Sequence, residues 1–237
     1  MWNRQQVKEQ AKIIMKRNYW KMFVVTLLAG LLTGEKTTII ERVQNFASTN
    51  ISYDTSPIFY SSNFQYIFYT FISIASILGI LYTIFIGNVI VVGKSRYFIK
   101  NHDVNPELGE IFSGFKGNYL NVVKIMFLMN LKILLWLFLF IVPGFIKAYE
   151  YSMIPCLLAE NPNITTDEAF SLSKQMTTGQ KMNLFVLDLS FLGWYFLGFL
   201  CFGIGALFVK PYDVAAYTEV YLILKESVKK DECVTNF

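Results

Sequence analysis

From Tyr119 to Val142 the chain carries only two charged residues, Lys124 and Lys132. A stretch that apolar and that long constrains everything around it. A hydrocarbon core about 30 Å thick takes roughly 20 mostly apolar residues to cross, and the crossing backbone must satisfy its own hydrogen bonds. The run meets Pro143-Gly144, and a second apolar segment starts at once and ends at Asn161-Pro162-Asn163. Proline disfavours the helical conformation in the residue before it, and glycine tolerates turn dihedrals. Pro143 and Gly144 are therefore expected to form a tight hairpin between two helices.

Comparable windows recur along the chain. They predict spans at about 19–34, 66–92, 119–142, 145–159, 184–201 and 206–224, the last interrupted early by Lys210-Pro211. The expected fold is all-α: a polytopic transmembrane helix bundle of about six spans, with residues 1–237 as a single integral membrane domain. Charged residues are 16% of the chain and apolar ones 54%, against about 25% charged in an ordinary soluble domain. A count of five spans, with 206–224 lying on the surface, is the alternative topology.

Two further helices are expected outside the spans. Arg4, Lys8, Lys12 and Lys16 repeat every four residues, which aligns them on one helical face, while Val7, Ala11, Ile14 and Met15 form an apolar stripe. This N-terminal amphipathic helix either lies on an anionic membrane surface or serves as a basic flank that orients the first span. A cleaved signal peptide is disfavoured, since the basic region is long and further spans follow. Thr165-Thr166-Asp167-Glu168 is a capping box. It opens a helix with Ala169, Leu172, Ser173 and Met176 on one face, expected to be a cytoplasmic interfacial helix. Gly30 and Gly34 have the spacing of close helix contacts, within the bundle or between copies by self-association.

Six spans place both termini on one side. Of the 21 Lys and Arg residues, fifteen fall in 1–21, 94–118, 159–183 and 225–237, and only Lys36 and Arg42 fall in the opposite loops. Positive residues accumulate on the cytoplasmic side, so both termini are expected to be cytoplasmic.

Ionisable residues within spans are costly and mark either function or helix-to-helix pairing. Lys132, Glu150, Asp188, Asp213 and Glu219 are the candidates, with Lys147 and Lys210 nearer the headgroups. Counting about 1.5 Å per residue, Asp188 and Glu219 fall at one depth, with Lys132 the nearest cation, and Lys132 lies within a lysine stem of Glu150. Two readings follow: a polar cavity for an ion, proton or polar substrate, or an ion-paired network that fixes helix register.

Other chemistry finds no support. There is no phosphate-binding Gly-x-x-x-x-Gly-Lys loop, no nucleophile elbow and no His-Glu-x-x-His motif. Basic runs sit only at span flanks, so nucleic acid is not an expected partner. Cys156, Cys201 and Cys233 are odd in number and lack metal spacing, so neither a disulfide framework nor a metal site is expected. His102, the one histidine, is expected in a solvated loop. No cofactor is implied, and Asp188 with Ser190 is the only pair that an intramembrane enzyme could use.

Several segments resemble a known family. Ile141-Val142-Pro143-Gly144, Tyr151-Ser152-Met153 and Leu158-Ala159-Glu160-Asn161-Pro162 form its hairpin signature. Ala169, Ser173, Lys174, Met176 and Gly179, then Leu187-Asp188-Leu189-Ser190-Phe191 with Gly193-Trp194, continue it. Gly203, Gly205, Pro211-Tyr212 and Tyr221 complete it, and Phe112-x-Gly114-Phe115 also fits. The chain resembles the bacterial integral-membrane family catalogued as domain of unknown function 975. That resemblance implies a multi-pass bacterial plasma-membrane protein and assigns no activity. The expected function is a non-enzymatic envelope protein that binds membrane lipid or a membrane-protein partner. The alternative is a small transporter or channel with an intramembrane polar site.

Overall fold

The computed structural model describes residues 4–33, 62–200 and 204–235. Gly34, residues 35–61, Cys201 and Gly203 lie outside these, as do the side chains of Lys16 and Arg17. Nine α-helices and no strand occur among the described residues.

Helix α1, Arg4–Thr33, joins the basic amphipathic segment to the first predicted span, with a joint at Asn18 (φ −137°, ψ 31°). Asn18 Nδ2 donates to Asn101 Oδ1 at 2.8 Å and also to Asn105 Oδ1, which holds the joint against the end of a later helix. The apolar stripe expected to meet a membrane surface meets protein instead. Val7, Ala11 and Ile14 are buried in a core shared with Val220, Leu224 and Val228.

Helix α2, Ser62–Tyr82, continues through a π turn at Thr83–Gly87 into α3, Asn88–Asp103. This rod is about 60 Å long at 1.5 Å per residue. It carries helix past the expected boundary at residue 92, so the start of the expected 94–118 loop is helical and Lys94 is buried. The 3-10 segment Leu108–Phe115 then folds back against α3. Two glycines allow that approach. A Cβ on Gly93 would stand 1.9 Å from the Ile111 carbonyl oxygen, and one on Gly114 would stand 2.7 Å from that of Val89.

Helix α4, Tyr119–Leu139, ends where Phe140 turns extended (φ −152°, ψ 130°), and α5, Ile141–Glu150, begins at once. The hairpin is present, but its break falls three residues before the expected Pro143-Gly144. Pro143 instead occupies the first turn of α5, where a missing N–H leaves no helical bond unmade. Gly144 packs on α4: a Cβ there would stand 2.6 Å from Leu137 side-chain carbons. The continuous helix expected at 145–159 is also divided. A turn at 151–153 separates α5 from α6, Ile154–Glu160, which has Pro155 in its first turn.

Helix α7, Thr166–Thr177, has the expected cap, with Glu168 N–H donating to Thr165 Oγ1 at 3.3 Å. Its expected interfacial face is covered by protein: Ala169, Ser173 and Met176 are all buried. Helices α8, Lys181–Leu200, and α9, Ile204–Thr235, form the last hairpin, and Pro211 lies inside α9 without ending it. Gly198 meets Gly205 and Ala206 backbone to backbone where the two helices join.

Two buried clusters organise the body. One joins α1, α3, α8 and α9 around Met22, Ile90, Leu184, Leu187, Ala216 and Val220. The other joins α3, α4, α6 and α7 around Val89, Val122, Ile125, Ile154, Leu158 and Ala169. Two helices, Tyr66–Asp103 and Tyr119–Leu139, are long and apolar enough to cross a membrane. In each, only 22% of the most apolar window is buried.

Gly93→Ala forces a methyl into the Ile111 carbonyl and is expected to destabilise the fold by about 1–3 kcal/mol. Gly79→Ala meets no atom within 4 Å and should be neutral or stabilising by about 0.5–1 kcal/mol. Thermal unfolding of the purified variants in detergent checks the contrast. Equal midpoints would refute the close approach.

Candidate functional site

Leu184, Leu187 and Phe191 turn one face of α8 into the core, and Asp188 sits on the flank of that face, half-buried. Its two carboxylate oxygens accept from different helices. Tyr149 Oη of α5 donates to Oδ2 at 2.7 Å, and Tyr217 Oη of α9 donates to Oδ1 at 2.7 Å. Asp213, one turn before Tyr217 on α9, accepts from Tyr195 Oη of α8 at 2.8 Å. The last hairpin is thus clasped twice, each helix giving one carboxylate and one phenol. Each contact is a hydrogen bond of ordinary O–H···O length that joins two helices. This arrangement fixes register between α5, α8 and α9.

The other predicted polar residues find separate partners. Glu150 is 4% exposed. It bonds Lys147 through Oε1 and Lys181 through Oε2, both at 2.7 Å, while its backbone carbonyl accepts from Ser173 Oγ at 2.7 Å. A buried carboxylate held by two cations escapes the cost of an unpaired charge. Lys132, expected near Glu150, instead places Nζ 3.7 Å from the centre of the Phe170 ring. Glu219 is buried with Oε1 2.9 Å from His102 Nδ1. His102 is exposed as expected, but it lies in the last turn of α3, hydrogen-bonded to a buried carboxylate, rather than in a loop. Asp188 and Glu219 share a depth along their helices, with Lys132 the nearest cation, but each of the three is tied to a different neighbour.

In the basic stripe, Arg4 and Lys12 are exposed. Lys8 turns inward: its Nζ donates to Ser190 Oγ at 2.5 Å and stands 5.0 Å from the centre of the Phe191 ring. Burial holds the Lys8 ammonium below its ordinary pKa, and repulsion from Arg4 and Lys12 adds to the effect. Ser190 Oγ donates to the Leu187 carbonyl of its own helix at 2.9 Å, not to Asp188.

The tyrosines are what residue-by-residue sequence reading overlooked. Tyr149, Tyr195 and Tyr217 supply the donors to both aspartates, and Tyr221 donates to Glu160 Oε2 at 2.7 Å, where Lys225 also binds. One signal existed: Asp213 and Tyr217 are four residues apart on one helix, and Asp188 and Tyr195 seven apart on another, so each pair lies on one face.

Residues 140–228 match the model of a family described as protein of unknown function (DUF975). The matched segment runs from the break before α5 through most of α9 and contains every residue of the two clasps. It leaves out Phe112-x-Gly114-Phe115, which also resembles the family in sequence. No curated protein and no solved structure matches the chain.

If the clasps fix register, Tyr217→Phe or Tyr149→Phe should cost about 1–2 kcal/mol of stability. A double-mutant cycle of Asp188→Asn with Tyr217→Phe should return a coupling of about 1 kcal/mol. The cycle of Asp188→Asn with Glu219→Gln should be additive within about 0.5 kcal/mol. Chemical unfolding in a fixed detergent measures both.

Proposed function

We propose that this chain is a multi-pass plasma-membrane protein of the bacterial envelope that binds membrane lipid and carries out no chemistry of its own. The observation that carries this reading is the apolar surface of α2 and the outer part of α4. Tyr66, Phe71 and Ile67 are about seven-tenths exposed, and Phe138 is 92% exposed. Soluble monomers rarely expose apolar patches beyond a few hundred Å². A core helix of a soluble protein is mostly buried, whereas these two windows are buried over only 22% of their residues. Lipid is the surrounding that removes the cost of such a surface.

The six-span topology with cytoplasmic termini gains support from which segments meet. Asn18 bonds Asn101, His102 pairs with Glu219, Arg96 Nη1 donates to the Ala159 carbonyl, and Lys225 binds Glu160. These contacts tie together the margins of the four stretches that hold most of the Lys and Arg. The break at Phe140 and the contact of Gly198 with Gly205 fall between those stretches in sequence, as outer ends should. The bonded state of Asp188, Asp213 and Glu150 favours architecture over a transport path, since their oxygens already hold donors.

The test is cysteine accessibility in intact cells, in a background with Cys156, Cys201 and Cys233 changed to Ser. Lys12→Cys, Lys116→Cys and Asp167→Cys should resist a membrane-impermeant maleimide until the cells are permeabilised. Phe140→Cys should react without permeabilisation. Labelling of Lys12→Cys from outside would overturn the topology, and release of the chain by alkaline carbonate would overturn membrane integration.

A further inference from the structure

The connector between the two membrane-length helices, residues 104–118, encloses a cavity of about 220 Å³ lined by Arg96, Glu107, Gly109, Glu110, Ser113 and Lys116. Pockets for drug-sized ligands run about 300–1,000 Å³, so this one suits a small polar group. Its walls are set by the close packing of Gly93 on Ile111 and Gly114 on Val89. That packing presses the 3-10 segment onto α3 and sets Ser113 and Arg96 in the lining of one cavity.

We propose that this cavity binds a singly charged phosphate group, supplied by a phospholipid headgroup or by free phosphate. Three observations carry the assignment. Ser113 is 7% exposed, and its Oγ has no hydrogen-bond partner. A buried hydroxyl left unpaired is costly, and a phosphate oxygen supplies the missing acceptor. Arg96 spends one N–H on the Ala159 carbonyl, and its Nε lies 3.4 Å from Glu110 Oε2. Its fork has five N–H donors in total, so it retains donors for the planar geometry that suits phosphate. Lys116 is exposed and forms no ion pair among the described residues.

The charge balance selects a monoanion. Glu110 is neutralised by Lys100 at 2.6 Å together with Arg96. Counting Arg96, Lys100 and Lys116 against Glu107 and Glu110 leaves a single positive charge. A dianion would meet the Glu107 carboxylate uncompensated. Leu108, Phe112 and Phe115 of the same segment are exposed outside the cavity lining and offer an apolar surface for acyl chains. Since the connector joins helices of membrane length, a headgroup can enter with its chains along those side chains. This lipid source rests on the membrane placement proposed above.

The experiment is calorimetric titration of the full-length protein in detergent at pH 6, where inorganic phosphate is mostly singly charged. The probes are dihexanoyl-phosphatidylglycerol below its micelle concentration and inorganic phosphate. One lipid should bind per chain, and Lys116→Gln should weaken it about tenfold. Ser113→Ala should weaken it several-fold while leaving the ligand-free thermal midpoint unchanged or higher, which separates lost binding from lost folding. Lys124→Gln, exposed on α4 outside the cavity, should bind as the wild type does. Binding of both probes, with the lipid tighter, assigns the site to a headgroup, and comparable binding of inorganic phosphate assigns it to the free ion. Absence of binding by either probe, or equal affinity in the wild type and Lys116→Gln, overturns the site. Carbonate-resistant membrane fractionation of Lys116→Gln keeps that failure distinct from failure of the membrane reading.

Discussion

The double clasp of α8 and α9 is the interaction on which the body depends. Asp188 receives Tyr217 across the hairpin, Asp213 receives Tyr195 in the reverse direction, and Tyr149 extends the first clasp to α5. Apolar faces alone permit two helices to slide, since area burial is indifferent to small changes of register. A carboxylate that accepts two phenols at fixed distances is not indifferent. With α9 held in place, its other face receives α1 through Ala11, Val220 and Leu224, and α3 packs against both.

Close backbone approach is the second device, and it works through absence of a side chain. Gly93 against Ile111, Gly144 against Leu137 and Gly198 against Gly205 each bring one element nearer its neighbour than any Cβ would allow. Such contacts substitute dispersion and carbonyl packing for large apolar side chains. This explains how a chain with so much of its apolar surface turned outward still holds a defined interior.

Charges inside the body follow one pattern. Glu150, Glu160, Asp188, Asp213 and Glu219 each accept from at least one side chain on a different element. Pairing of that kind makes a buried ionisable group tolerable and specific in place, without making it a catalyst. The cavity beside Ser113 differs in kind, because there a buried hydroxyl and a cation remain available.

The sequence by itself determined the helical class, the positions of the long apolar segments, the Thr165 cap and the presence of a break near residue 140. These follow from local rules: apolar length, hydroxyl capping and the dihedral preferences of proline and glycine. What it could not decide was which side chains meet. Depth along a helix is a one-dimensional coordinate, so Asp188, Glu219 and Lys132 looked like neighbours although azimuth gives them Tyr217, His102 and Phe170. The same limit applies to faces. An amphipathic stripe such as Val7, Ala11 and Ile14 specifies that something apolar covers it, and only the tertiary structure decided that the cover is α9 rather than lipid. Periodicity fixes which residues share a face. Packing, which depends on elements far apart in the chain, fixes what that face touches.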